Sequence, residues 1–142
     1  YILITDKTNK INKIIMKNIK KLLILGFHSA NIMLIIFYLY PGSIFGHFLY
    51  GDSSIQPQLT GDFIVSSNHL YAFIILSFLG VMAYQKTPNI NFVIIYLFLL
   101  SIILELFHLI IPNRGFELGD LFGNTLGVIF VIIIYKVKNK YA

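Results

Sequence analysis

Four apolar runs divide this chain, and nearly all of its charge sits in the short stretches between and beyond them. A helix needs roughly 20 apolar residues to cross a bilayer. Run one covers residues 22–40, run two 67–84, run three 90–111 and run four 120–135. None shows the two-residue alternation of a membrane strand, and a closed barrel needs more strands than this length allows. The sequence therefore specifies an all-α fold, an integral membrane bundle of four antiparallel transmembrane helices. Hydrophobic residues make up 57% of the chain and charged ones 12%, far from the balance of a soluble domain.

The charges orient the bundle. The ten lysines are Lys7, Lys10, Lys13, Lys17, Lys20, Lys21, Lys86, Lys136, Lys138 and Lys140, and the single arginine is Arg114. Keeping lysines inside puts both termini in the cytoplasm of a multi-pass cell-membrane protein and Arg114 in a short outer loop with Glu117 and Asp120. Because the lysines flank apolar runs and form no basic face with interleaved aromatics, membrane lipids are the expected partners and nucleic acid is not. The absence of cysteine excludes disulfides, thiolate nucleophiles and thiolate metal sites.

Three segments follow. Residues 1–21 are a basic, amphipathic cytoplasmic segment, with Ile11, Ile15, Ile19 and Leu22 opposite the lysines, expected to lie along the inner membrane surface. Met16, before Lys17-Asn18-Ile19-Lys20-Lys21, offers an internal start. No small-x-small cleavage site follows run one, so it reads as a retained anchor. Residues 22–135 form the transmembrane domain and 136–142 a basic cytoplasmic tail. The loop over 41–66 holds Asp52 and Asp62 but no lysine or arginine, with Phe45, Phe48 and Tyr50 at headgroup level. Run three is expected to end at Pro112.

This threading brings polar residues of runs two, three and four to one end. Run two enters at Asn68-His69, run three leaves past Glu105 and His108, and run four re-enters at Asp120 and Asn124. Ser101, Glu105 and His108 share one helix face, as do Asp120, Asn124 and Gly127. A carboxylate facing lipid costs several kcal/mol, so Glu105 must face the bundle, as an acid/base group, a ligand or a hydrogen-bond acceptor that locks helices. Arg114 offers a planar fork for phosphate or carboxylate, or a salt bridge to Glu117 or Asp120 that shapes the turn. His69 and His108 with Glu105 and Asp120 resemble a metal-ligand set, but the Glu-x-x-His of a di-iron bundle needs a second copy. Interhelical hydrogen bonds are the expected role, with no metal and no cofactor. His28 and Asn31, in the inner half of run one, suit the same role. Gly119, Gly123 and Gly127 repeat every fourth residue, an edge for close packing within the bundle or against a second copy in a homo-oligomer.

Glu105-x-x-His108, Arg114 and Asp120-x-x-x-Asn124-x-x-Gly127 resemble the C-terminal signature of the VanZ-like family of small membrane proteins, and His69 with Ala72-Phe73 resembles its earlier element. The likeness spans residues 17–135. His108 stands where that family usually has Gln, and Val65-Ser66 where it has Asp-Lys. The resemblance implies an envelope protein of a bacterial cytoplasmic membrane, with some relatives linked to resistance to the glycopeptide teicoplanin.

Three functions are open. The first is non-enzymatic binding of an amphiphilic or anionic envelope component, a lipid-linked or glycopeptide-type ligand, by Arg114, Asp120, Asn124, Glu105 and His69 in the outer leaflet. The second is an intramembrane acid/base enzyme on a lipid-linked substrate, with Glu105, His69 and His108 catalytic. The third is a structural assembly partner. Binding is the leading expectation.

Overall fold

The computed structural model describes residues 2–62 and 64–141, with side chains from residue 9 onward. Five helices appear among them: α1 (Ile2–Leu39), α2 (Ile44–Tyr50), α3 (Ser67–Tyr84), α4 (Ile90–Phe107) and α5 (Leu118–Tyr141). All but α2 are long and apolar enough to cross a membrane. Tyr38, near the end of α1, meets His69 at the start of α3 and Asn124 in the first half of α5. At the opposite end His28 and Asn31 of α1 bond Tyr84 at the end of α3 and Tyr96 in the first half of α4. The four long helices therefore alternate in direction. The lysines of α1 and α5, with Lys86, share one end, and Arg114 lies at the other.

Packing follows from side-chain size. Phe73, Leu76, Leu97, Leu104 and Val128 are buried among α3, α4 and α5, with Phe27 and Tyr38 entering from α1. Helix α5 lies closest on α3 because two glycines leave room. A Cβ on Gly123 would come within 2.7 Å of the Ser66 carbonyl oxygen, and one on Gly127 within 2.7 Å of that of Leu70. This edge is thus taken by α3 of the same chain, and Gly119 meets only the Ser66 nitrogen at 4.0 Å. Outward stand large apolar side chains such as Leu25, Ile32, Phe92, Ile95, Phe130 and Ile133, the surface a lipid solvent requires.

Three boundaries differ from the sequence expectation. Helix α1 runs through residues 2–39 in one piece instead of turning onto the membrane surface near residue 21. No proline interrupts it, and Gly26 alone costs only about 1 kcal/mol. Its 38 residues reach roughly 57 Å, more than a bilayer core, and residues 9–22 stand free of the bundle. Helix α5 likewise continues through the lysines to Tyr141. Helix α4 stops at Phe107, not at Pro112. Proline disfavours helical backbone at Ile111 before it, and the chain leaves in tight turns, Leu109 N to Leu106 O (3.1 Å) and Ile110 N to Phe107 O (3.0 Å). Asn113 then takes φ 58°, a left-handed conformation that asparagine tolerates.

Inside the 41–66 loop lies a helix the apolar pattern did not announce. The Ser43 hydroxyl accepts from Gly46 N at 2.9 Å and starts α2, while Gly51 at φ 69° ends it. The following segment folds back on α2, with Ser43 N bonded to Ser53 O at 2.7 Å. Together they wall the polar end of the bundle.

Candidate functional site

The residues singled out for this end arrive from three helix termini. His69 is the third residue of α3, Glu105 the third from the end of α4, His108 its C-cap, and Asp120 and Asn124 lie in the first two turns of α5. The cluster is almost dry: Glu105 and Asn124 are fully buried, His108 is 2% exposed and His69 5%.

The contacts interlock. His108 Nδ1 lies 3.3 Å from Glu105 Oε1, which also accepts from Glu117 N at 3.1 Å. His69 Nε2 faces Asp120 Oδ2 at 3.4 Å, and its Nδ1 is 3.9 Å from Glu105 Oε2. Asn124 Nδ2 donates to the Ser101 carbonyl at 3.4 Å, bonding α5 to α4. Ser101 and Glu105, set on one face of α4 by spacing alone, are both fully buried, with the Ser101 hydroxyl donating back to Phe98 O at 2.7 Å.

At its centre is Tyr38, which sequence reasoning passed over. Its hydroxyl donates to Asn124 Oδ1 and lies 2.9 Å from His69 Nδ1, while His108 stacks on its ring at 5.5 Å. A tyrosine near the end of an apolar run reads as a headgroup-belt aromatic, and that bland reading hides it. Its position three residues before Pro41 was the available signal.

Arg114 serves α1. The last carbonyls of a helix have no internal partner and form its negative end. Arg114 Nη2 donates to Phe37 O (3.0 Å), Nε to Tyr40 O (3.3 Å) and Nη1 to Gln56 Oε1 (3.4 Å), while His108 Nε2 meets Tyr38 O at 3.1 Å. Among the described residues the ion-pair contacts all involve histidine, so the expected Arg114 bridge to Glu117 or Asp120 is not formed. Burial pushes the guanidinium down from its ordinary value, against the pull of Tyr38, Asp120 and Glu105. It stays charged, as arginine does.

Two hollows meet at this arginine. A polar cleft of about 150 Å³ is lined by Ser43, Gln56, His108, Arg114, Glu117 and Asp120. An apolar groove of about 420 Å³ runs between α1, α2 and α3, past Leu34, Phe37, Leu49, Tyr71, Ala72 and Ile75. Ser43, Gln56, His108 and Arg114 line both, and His69 lies on the groove side. Glu105 lines neither. His47, on exposed α2, takes no part.

A four-span helical bundle with ionisable side chains gathered at one end defines a class of polytopic membrane protein whose site lies within the bundle. The chain belongs to the VanZ/LLP1 family, whose family model matches residues 5–139. No curated protein and no solved structure matches it. Two departures from the family pattern now have structural content. His108, in place of glutamine, links Glu105 to the end of α1. At Val65-Ser66, Ser66 N bonds Gly119 O at 3.2 Å, and the Ser67 amide is capped by Asp62 Oδ1 at 2.8 Å.

Proposed function

We propose that this protein binds an amphiphilic envelope component at the outer face of a bacterial cytoplasmic membrane, its lysine-rich end in the cytoplasm. One observation carries the reading: the apolar groove and the polar cleft share Arg114, His108, Ser43 and Gln56 as walls. Ligand sites of this kind pair apolar walls with a few placed polar groups. An acyl or prenyl tail fits along Leu34, Ala72 and Ile75, and an anionic head meets Arg114, whose fork is only partly spent on carbonyls. Asp120 lines the polar cleft and His69 the groove, while Asn124 and Glu105, buried behind them, hold His69 in place.

The test is retention of envelope lipids by the detergent-purified protein, followed by native mass spectrometry. Ala72→Trp fills the groove without touching the α1 cap, and Arg114→Ala removes the charge. Both variants should lose bound anionic lipid by about tenfold, a change of roughly 1.4 kcal/mol. Undiminished retention by both ends the proposal. The link to teicoplanin, implied by kinship, is read separately as growth in the drug with and without expression of this chain.

A second reading, an acid/base enzyme on a lipid-linked substrate, is favoured by the 3.3 Å and 3.4 Å approaches of the two histidines to Glu105 and Asp120. A general acid must reach the bond it protonates. Glu105 borders neither hollow, which makes binding the stronger reading.

A further inference from the structure

The short contacts around Tyr38 decide which nitrogen of His69 carries its proton. Three atoms form a triangle: the Tyr38 hydroxyl, Asn124 Oδ1 and His69 Nδ1. Tyr38 has one hydrogen and gives it to Asn124 Oδ1. Asn124 Oδ1 only accepts, since its amide nitrogen is turned to the Ser101 carbonyl. Each contact of the triangle then carries a proton only if His69 Nδ1–H donates to the hydroxyl. In the neutral ring this leaves Nε2 as a bare lone pair.

That lone pair points at a carboxylate, with Asp120 Oδ2 at 3.4 Å. Glu105 Oε2, 3.9 Å from His69 Nδ1, is fully buried and has no hydrogen-bond partner. No lysine or arginine among the described residues lies within ion-pair distance of either acid, and Arg114 is turned to the carbonyls of α1. One ligand atom from each of His69, Glu105 and Asp120 can be chosen so that all lie within 4.8 Å of one another. An orphaned buried carboxylate oxygen is costly unless a cation meets it.

We infer that His69, Glu105 and Asp120 form a binding site for one divalent transition-metal cation, with α3, α4 and α5 each supplying a ligand. One imidazole and two carboxylates suit Zn²⁺ or Mn²⁺, and the chain has no thiolate to draw softer ions. Ligand atoms about 2.0–2.1 Å from a tetrahedral ion stand about 3.3 Å apart, so the His69–Asp120 pair is already spaced for it. The Tyr38 and Asn124 acceptors around Nδ1–H are the outer support that metal-bound imidazoles have. Asp120 also lines the polar cleft, which leaves open coordination positions facing that side.

The site shares residues with the proposed lipid-head site but does not rest on that reading, and it is tested without lipid. Chelator-stripped, detergent-purified protein is equilibrated with Zn²⁺ or Mn²⁺ and desalted, and its metal is measured by plasma mass spectrometry alongside its melting temperature. The full chain should retain about one equivalent and melt higher. Glu105→Gln and Asp120→Asn should each weaken retention by at least about tenfold, and His47→Ala, on exposed α2, should leave it unchanged. Co²⁺ bound by the unmutated chain should show the visible absorption of a tetrahedral nitrogen–oxygen site, a readout no variant's folding can obscure. Retention below about 0.1 equivalent of both ions with no melting shift overturns the inference. So does retention that survives both carboxamide variants, or that depends on His47.

Discussion

The two ends of this bundle are stitched by different chemistry. At the lysine-bearing end, His28 bonds Tyr84 and Asn31 bonds Tyr96, each a single neutral pair between two helices. At the other end Tyr38, His69, Glu105, His108, Asp120 and Asn124 draw on all four long helices, and four of them, two histidines and two carboxylates, meet in ion-pair contacts. Interhelical hydrogen bonds in membranes contribute modestly, about 0.6 kcal/mol on average. Such pairs hold helices in register and ask nothing of solvent or ligand. Buried carboxylates do ask, and one of them, Asp120, lines the polar cleft. The contrast separates a fastening from a site.

The largest expected effect tests that contrast directly. Glu105→Ala leaves the Glu117 amide and His108 Nδ1 without their acceptor in a dry cluster and should cost about 3 kcal/mol. Asn31→Ala, at the fastened end, should cost only about 0.6 kcal/mol. Unfolding in mixed detergent micelles measures both, and equal losses would erase the distinction between the ends. Next in size is the α3–α5 seam. Gly127→Val drives a side chain into the Leu70 carbonyl and should destabilise by about 1–3 kcal/mol, whereas Gly119→Ala meets nothing nearer than 4.0 Å and should be nearly silent. If Gly119→Ala were instead the damaging change, or altered the oligomeric state, the glycine edge would serve an outside partner.

The smallest effect belongs to the loop that walls the site. Asp52, exposed, accepts from the Ser54 hydroxyl at 2.7 Å and its amide at 2.8 Å, and these bonds hold the carboxyl below its usual value. A depressed folded value means that the turn is favoured above the ordinary aspartate range near 3.9 and loses this support as pH falls through the folded value. Proton NMR of the Ser54 amide should follow that acid transition. A Ser54 signal that stays fixed through the acid range removes Asp52 from the loop's design.

Much of the site was legible because charge inside an apolar run is rare. Glu105, Asp120 and Asn124 stand out against aliphatic neighbours, and helical spacing puts Ser101 with Glu105 and Asn124 with Gly127 on common faces. Run two began and ended where α3 does, at Ser67 and Tyr84. Tyr38 was not legible, because an aromatic at a run's end has an ordinary explanation. Arg114 was legible as a placed residue but not as the cap of α1, since its acceptors are carbonyls 74 and 77 residues away. The lysine-studded amphipathic stretch before the first span did not announce that its backbone continues into the span as one helix from residue 2 to residue 39.

Composition and order settled the class. Apolar length calls for helices in lipid, alternating loops make them antiparallel, and lysine placement puts His69, Glu105, His108 and Asp120 at the end opposite the lysines. Only tertiary structure chose the pairings. How far each helix is rotated about its axis, and how closely Gly123 and Gly127 let α5 approach α3, decide that His69 faces Asp120 and leaves one Glu105 oxygen bare. Hydropathy is a property of segments, but a hydrogen bond depends on angles and on separations of about 3 Å. Those distances are set by the packing of side chains far apart in the chain.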